Sequence, residues 1–281
     1  MSHKCQSILR DRKGVLRAEM ASLSYDFQDR HLIPEHFHPE HQLVFASVGV
    51  MTVRTRQSIW VVPPLRAVWI PAKTPHAIVM SGAVSMRTLY FLPALIQRLP
   101  RGCFVLSVSA LLRELILHAC NYPKLSQKRR SERAIIEIVV DQLEAAHAVP
   151  LQLPHPEDPR AMKVAQALLD DPGKQRTLER LCADCGASKR TIERLFLVET
   201  NMTFGRWRQQ LRLLHALRLL ASGEKVTAAA LEAGYASTSA FISMFRKQLG
   251  TTPTRYFGRN GIATIACGAG LIAKPQLATY Q

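Results

Sequence analysis

The chain has 281 residues, 47% of them hydrophobic and 21% charged, which is the composition of a folded protein with room for one large domain or two ordinary ones. Its 37 Lys and Arg against 21 Asp and Glu give a net charge of +16 and a pI near 10.1, which points to a polyanionic partner such as nucleic acid or an anionic membrane surface. The six cysteines are scattered rather than framed for disulfides, no apolar leader follows the first residues, and no apolar run reaches the roughly 18 to 20 residues of a membrane span, so the expectation is a cytoplasmic protein with no membrane association.

From about residue 40 to 91 the chain carries short runs rich in Val, Ile, Trp and Tyr: QLVFASVG, MTVRTR, SIWVV, AVWIP, AIVM and RTLYF. Pro63-Pro64 and Ser81-Gly82 read as turns between them, which makes a small antiparallel sheet domain, barrel or sandwich. The first of these strands is entered through HFHPEHQ at 36–42, and a later histidine, His76, lies in IPAKTPHAI. His36 and His38 fall on one face by alternation, while Pro39 marks a turn or an edge. Three imidazoles are able to bind zinc, nickel or ferrous iron, and the same residues equally serve a ligand pocket or structural hydrogen bonds.

Beyond Pro100 the period changes. Residues 107–120 place Leu111, Leu112, Leu115 and Ile116 at helical spacing, and residues 131–146 do the same with Ile135, Ile138, Val139 and Leu143. These two helices either cover the sheet or form a dimer contact. Residues 150–159, PLQLPHPEDP, hold four prolines and read as an extended linker, followed by helix to about residue 257 and a weakly patterned tail.

Splitting the chain after Pro150 leaves 19 bases and 11 acids before it and 18 bases and 10 acids after it, so the two parts carry equal charge. Within the second part, residues 186–259 hold 12 bases and 4 acids, so its whole excess is concentrated there. That window also contains a repeat. Aligning Gly186 with Gly234 sets LCADCGASKRTIERLF beside ALEAGYASTSAFISMF, with Ser188 and Ser237 in position to cap the following helices and Asn201 and Gly250 suited to close them. Each copy reads as a helix-turn-helix. In the first, Ile192, Leu195 and Phe196 form the inward stripe and Lys189, Arg190, Glu193 and Arg194 point outward. In the second, Phe241, Met244, Phe245 and Leu249 point inward, with Thr238, Ser239, Ile242, Ser243, Arg246 and Lys247 outward or at the margin. RWRQQLRLLHALRLLASG reads as one long helix joining the units. The CADC cysteines read as packing residues of the first helix, Cys182 buried, rather than as a zinc pair.

With these motifs in place, the C-terminal half resembles the DNA-binding domain of AraC/XylS-type transcription regulators, above all over AALEAGYASTSAFISMFRKQLGTTPTRYF, and the N-terminal half resembles their cupin-like sensor domain. The resemblance implies a multidomain α and β protein: a cupin-like β-barrel at 1–105 with flanking helices, a helical dimerisation or packing region at 106–149, a linker at 150–159, an all-α double helix-turn-helix domain at 160–259, and a disordered tail at 260–281. It implies a sequence-specific, effector-responsive regulator and not an enzyme. The partners would be promoter or operator double-stranded DNA, a small-molecule effector, a second copy of the chain and RNA polymerase, with no cofactor. It gives base reading to Arg190, Glu193 and Arg194 and DNA contact to Lys189 and to the outer face of the second unit, although Ser243 stands where the family often carries Arg. In metal-binding cupins an acidic residue occupies the place of Gln42. The histidines are therefore expected to contact effector, as His36, His38, Gln42 and His76 with Trp60 and Trp69 as apolar wall; the rival reading is a metal-dependent cupin enzyme fused to a DNA-binding domain.

Overall fold

A computed structural model describes residues 3, 4, 9 and 18–258. The tail expected over 260–281 lies outside the described residues. The N-terminal unit is an eleven-stranded sheet, counted among the described residues, built around two long antiparallel partners, β4 (His41–Arg54) and β7 (His76–Phe91). β1 (His3–Lys4) and β3 (Leu32–Phe37) continue from β7 on one side, and β6 (Arg66–Ile70) and β8 (Phe104–Ser107) from β4 on the other. β2 (Met20–Phe27) also pairs with β7, and β5 (Ser58–Val62) with the far end of β4.

Two features differ from the sequence expectation. The sheet begins before residue 40, with β2 and β3, and Ser81-Gly82 is no turn but lies inside β7. Gly49 at φ +78 and Gly82 at φ +72 accommodate left-handed kinks that bend the strands without reversing them, and the β4–β7 register shifts beside Gly49. The turn at Pro63-Pro64 does separate β5 from β6.

β4 sends alternate residues to opposite faces. Leu43 and Phe45 join Trp69, Phe91 and the buried residues of α1 (Ala110–Ala119) and α2 (Arg130–Glu144), namely Leu112, Ile116, Ile136, Val139 and Leu143. The two helices thus cover the sheet, while Leu111 and Ile138 stay 53% and 44% exposed. They are not separate from the barrel: β8 spans the expected boundary at 105/106, and β9 (Lys124–Leu125) and β10 (Ala148–Val149) pair back into the sheet.

The proline-rich segment 150–159 is extended, but it is docked rather than loose. β11 (Gln152–Pro154) pairs with β5, and Leu151 and Leu153 are buried. Its alternating apolar residues supply the contact that composition alone did not indicate. Val44, Val61, Val62, Ile78 and Met80 from the barrel share one continuous core with Leu168, Trp207, Leu211, Leu214, Phe245 and Tyr256 of the helical domain. That domain comprises α3 (Pro159–Asp170), α4 (Leu178–Cys185), α5 (Lys189–Thr200), α6 (Phe204–Ala221), α7 (Val226–Glu232), α8 (Thr238–Leu249) and α9 (Pro253–Gly258).

Candidate functional site

The repeated unit is built on capping chemistry. α4 ends at Gly186 (φ +68), the Ser188 hydroxyl accepts from the Thr191 N–H at 3.2 Å to open α5, and α5 closes at Asn201 (φ +55). In the second copy Gly234 (φ +80) follows α7, the Ser237 hydroxyl accepts from the Ala240 N–H at 3.2 Å to open α8, and α8 closes at Gly250 (φ +79). Ile192, Leu195 and Phe196 are buried, as are Phe241, Met244, Phe245 and Leu249. Lys189, Arg190, Glu193 and Arg194 on α5 are exposed, and so are Ser239, Ser243, Arg246 and Lys247 on α8. Thr238 and Ile242 are half-buried, Ile242 packing against the core, so both sit at the margin of that face. Lys189 is additionally paired at 2.9 Å with Glu179 of α4. Cys182 is buried, and burial raises its thiol pKa.

α6, 18 residues and therefore about 27 Å long, separates the two units and fixes their spacing. It is anchored on the linker strand: Trp207 Nε1 donates to the Pro154 carbonyl at 2.8 Å, and the Gln210 amide donates to the carbonyls of Pro150 and Gln152. Its C-terminal residue Ala221 abuts Gly82 of β7, where a Cβ would stand 2.4 Å from the Ala221 carbonyl oxygen. The second unit touches the barrel as well, through Tyr256 Oη donating to the Pro64 carbonyl at 2.7 Å.

In the barrel, the β3–β7 register sets His36 directly opposite His76, and His38 follows in the turn to β4. One ring nitrogen of each lies within 4.8 Å of the others. His36 is half-buried, His38 nearly buried and His76 0% exposed. Gln42 completes the group, its Oε1 3.0 Å from His38 Nε2 and its Nε2 donating to Thr88 Oγ1 at 3.0 Å and Tyr90 Oη at 2.9 Å. Burial, reinforced by neighbouring His36, lowers the His76 pKa to about 3; burial also lowers that of His38. Thr88 and Tyr90 were not anticipated, although β7 alternation places them on one face and Tyr90 pairs with Gln42 in register.

The two tryptophans do not join this group. Trp69 faces away from Gln42, pairing in register with Leu43 and lying against His41 and Phe91 in the core beneath α1 and α2. Trp60 pairs with Val53 at the far end of β4, eleven residues from Gln42 and so roughly 35 Å along the strand. The expected aromatic wall is therefore split, because residues adjacent in composition fall on opposite faces or opposite ends of one sheet.

Two family models match this chain: an AraC-like ligand binding domain over residues 20–154 and a helix-turn-helix domain over residues 181–259. The HTH-type transcriptional regulator NimR of Escherichia coli K12 is 34% identical over 226 residues, covering 80% of this chain and 82% of its own length. The chain belongs to the AraC family of DNA-binding transcription regulators. The HTH-type transcriptional regulator RipA of Corynebacterium glutamicum is 36% identical over 103 residues, 37% of this chain and 31% of its own length. Among solved structures, ToxT of Vibrio cholerae bound to an unsaturated fatty acid overlays 84% of this chain and 94% of its own at 13% identity and a TM-score of 0.36. NimR and RipA are HTH-type transcriptional regulators, and neither supports the rival reading of a fused cupin enzyme. Among the described residues of this AraC-family regulator, no helix is long and apolar enough to cross a membrane.

The regulator also has a cavity of about 360 Å³ between its domains, lined by Arg54, Ile59, Val61 and Leu153 of the sheet and by Asp170, Leu211, Leu214 and Arg218 of the helical domain. None of the six residues expected to contact effector lines it. Burial, and then the nearby Arg54 guanidinium, lower the pKa of Arg218; the same two causes lower that of His155, which also borders the cavity. Asp170 is the acid on this wall, and its carboxylate accepts from Gln166 Nε2 at 2.6 Å.

Proposed function

We propose that this regulator reads promoter DNA by inserting α5 and α8 into successive major-groove segments, and that a small organic anion bound between Arg54 and Arg218 alters that engagement. One observation carries the reading: α6 both spaces the two recognition helices and forms a wall of the interdomain cavity. Base discrimination falls mainly to Arg190, Glu193 and Arg194, with phosphate contacts from Lys189, Arg246 and Lys247 and short side chains at Thr238, Ser239 and Ser243. The cavity holds more positive than negative charge behind an apolar wall, a combination that suits a carboxylate or similar anion on a hydrophobic body. The exposed Leu111 and Ile138 on α1 and α2 support a homodimer through that face, from which the pair would occupy a promoter alongside RNA polymerase.

Footprinting on DNA upstream of its own and adjacent genes tests the reading at physiological salt. Two protected segments about one helical turn apart are expected. Binding that is insensitive to sequence and collapses steeply with salt would refute it.

A further inference from the structure

The three barrel histidines share a hydrogen-bond pattern that packing alone does not require. His36 Nδ1 lies 2.8 Å from the Pro34 carbonyl, His38 Nδ1 2.8 Å from the Glu40 carbonyl, and His76 Nδ1 2.8 Å from the Thr74 carbonyl. A carbonyl oxygen only accepts, so each Nδ1 carries the proton and each neutral ring is left with its lone pair on Nε2. This is the tautomer that metal-ligating histidines adopt, fixed by the outer partner that such ligands ordinarily have. His41, in the same stretch of sequence, is arranged the other way: its Nδ1 accepts from the Ala72 N–H at 2.9 Å.

The inner side of the group is equally distinctive. His76 Nε2 is buried with no hydrogen-bond partner. His38 Nε2 faces Gln42 Oε1 at 3.0 Å, a lone pair against an acceptor. The opposite amide orientation would let Gln42 Nε2 donate to His38 Nε2 and Oε1 accept from Tyr90 Oη and the rotatable Thr88 hydroxyl, so it is the His76 nitrogen that lacks a partner in either orientation. A cation among the three Nε2 atoms satisfies that nitrogen and takes up the lone pairs of His36 and His38 with it.

We propose that His36, His38 and His76 bind one divalent transition-metal ion of the zinc, nickel, cobalt or iron(II) class through Nε2, with the Gln42 amide oxygen as a neutral fourth ligand. Ligands at about 2.0 to 2.1 Å from one ion stand about 3.3 Å apart in tetrahedral geometry, so small ring rotations from the present spacing close the site. The half-buried His36 forms the route of entry. This departs from the expectation that no metal is held, which rested on Gln42 standing in place of an acid.

The test uses tag-free full-length protein, stripped with chelator, dialysed and reloaded separately with Zn²⁺ and Co²⁺. One equivalent of zinc by elemental analysis and visible cobalt d–d absorption are expected. H36A and H76A should weaken binding by more than the roughly 10- to 100-fold that loss of an outer partner costs, while H41N retains the ion. Q42E should bind more tightly by at least about 10-fold, since it replaces a neutral oxygen with a carboxylate; this gain-of-affinity variant decides the matter if H76A fails to fold. Under a tenth of an equivalent in folded wild-type protein, or equal occupancy in wild type and H36A, would overturn the proposal.

Discussion

Gly82→Ala probes the contact through which the barrel meets the helix that joins the two recognition units. Two costs add. Gly82 sits at φ +72, where an L side chain costs about 1 to 2 kcal/mol. The new Cβ would also stand 2.4 Å from the Ala221 carbonyl oxygen, a backbone atom that must retreat to at least 3.0 Å, and overpacking of that kind costs about 1 to 3 kcal/mol. The expected loss is about 2 to 5 kcal/mol, or a fall in Tm on the order of 5 to 15 °C for a chain of this size. Gly186→Ala is the internal control, because Gly186 has nearly the same φ, +68, with nothing within 4 Å of the added Cβ, so it reports the backbone cost alone. Calorimetry on the full chain should show the larger loss for Gly82→Ala, with the barrel and helical transitions drawn apart as α6 is displaced from β7. Equal losses in the two variants would refute the reasoning, since the α6–β7 contact would then contribute nothing.

Arg194→Ala should lower discrimination at one base position by about 1 to 3 kcal/mol in competition binding, whereas a uniform loss over all sequences would assign Arg194 to phosphate. Trp207→Phe removes the donor to the Pro154 carbonyl and leaves that oxygen unpaired, so urea unfolding should show a loss of about 1 to 3 kcal/mol; an unchanged midpoint would mean the linker strand is not held by α6. Burial, then Arg218, lower the His215 pKa from 6.5 to about 4, with Asp171 opposing. Between those values the unfolded chain binds a proton that the native state does not, so His215 subtracts stability progressively as pH falls from about 6.5 to 4 and costs nothing above that window. His215→Gln should flatten this part of the stability profile, and an unaltered slope would remove His215 as its source.

The helix-turn-helix units were legible because their determinants are local. Gly186, Ser188 and Asn201, and again Gly234, Ser237 and Gly250, each do their work within a few residues, through positive φ or a side-chain cap, and that chemistry is written directly in the residue types. The barrel was legible as a sheet but not in its register. Gly82 looks like a turn until α6 is known to press against it, and Trp60 and Trp69 look like one pocket wall until strand pairing puts them on separate surfaces. β3, half exposed and interrupted by Pro34, carries little apolar signal of its own and is held by its partners on either side. The histidines were visible as a cluster, yet the feature that decides their chemistry, three Nδ1 atoms each turned toward a nearby carbonyl, belongs to backbone geometry that residue names do not encode.

The position of α6 also limits how strong an effector must be. Trp207 and Gln210 tie the helix to the linker strand, Arg208 ties it to the Arg176 and Lys174 carbonyls before α4, and Ala221 rests on Gly82, so its two halves are held by different parts of the molecule. A ligand shifts such an arrangement only by its differential affinity for the alternatives, about 1.4 kcal/mol for each tenfold change in their ratio. One of these hydrogen bonds is worth about 0.5 to 1.5 kcal/mol net. The proposed anion, drawing Arg218 of α6 toward Arg54 at the expense of one anchor, would therefore operate on the same energy scale as the contacts it must outweigh. On the proposed coupling, a modest differential affinity would be enough to change how α5 and α8 are presented to DNA.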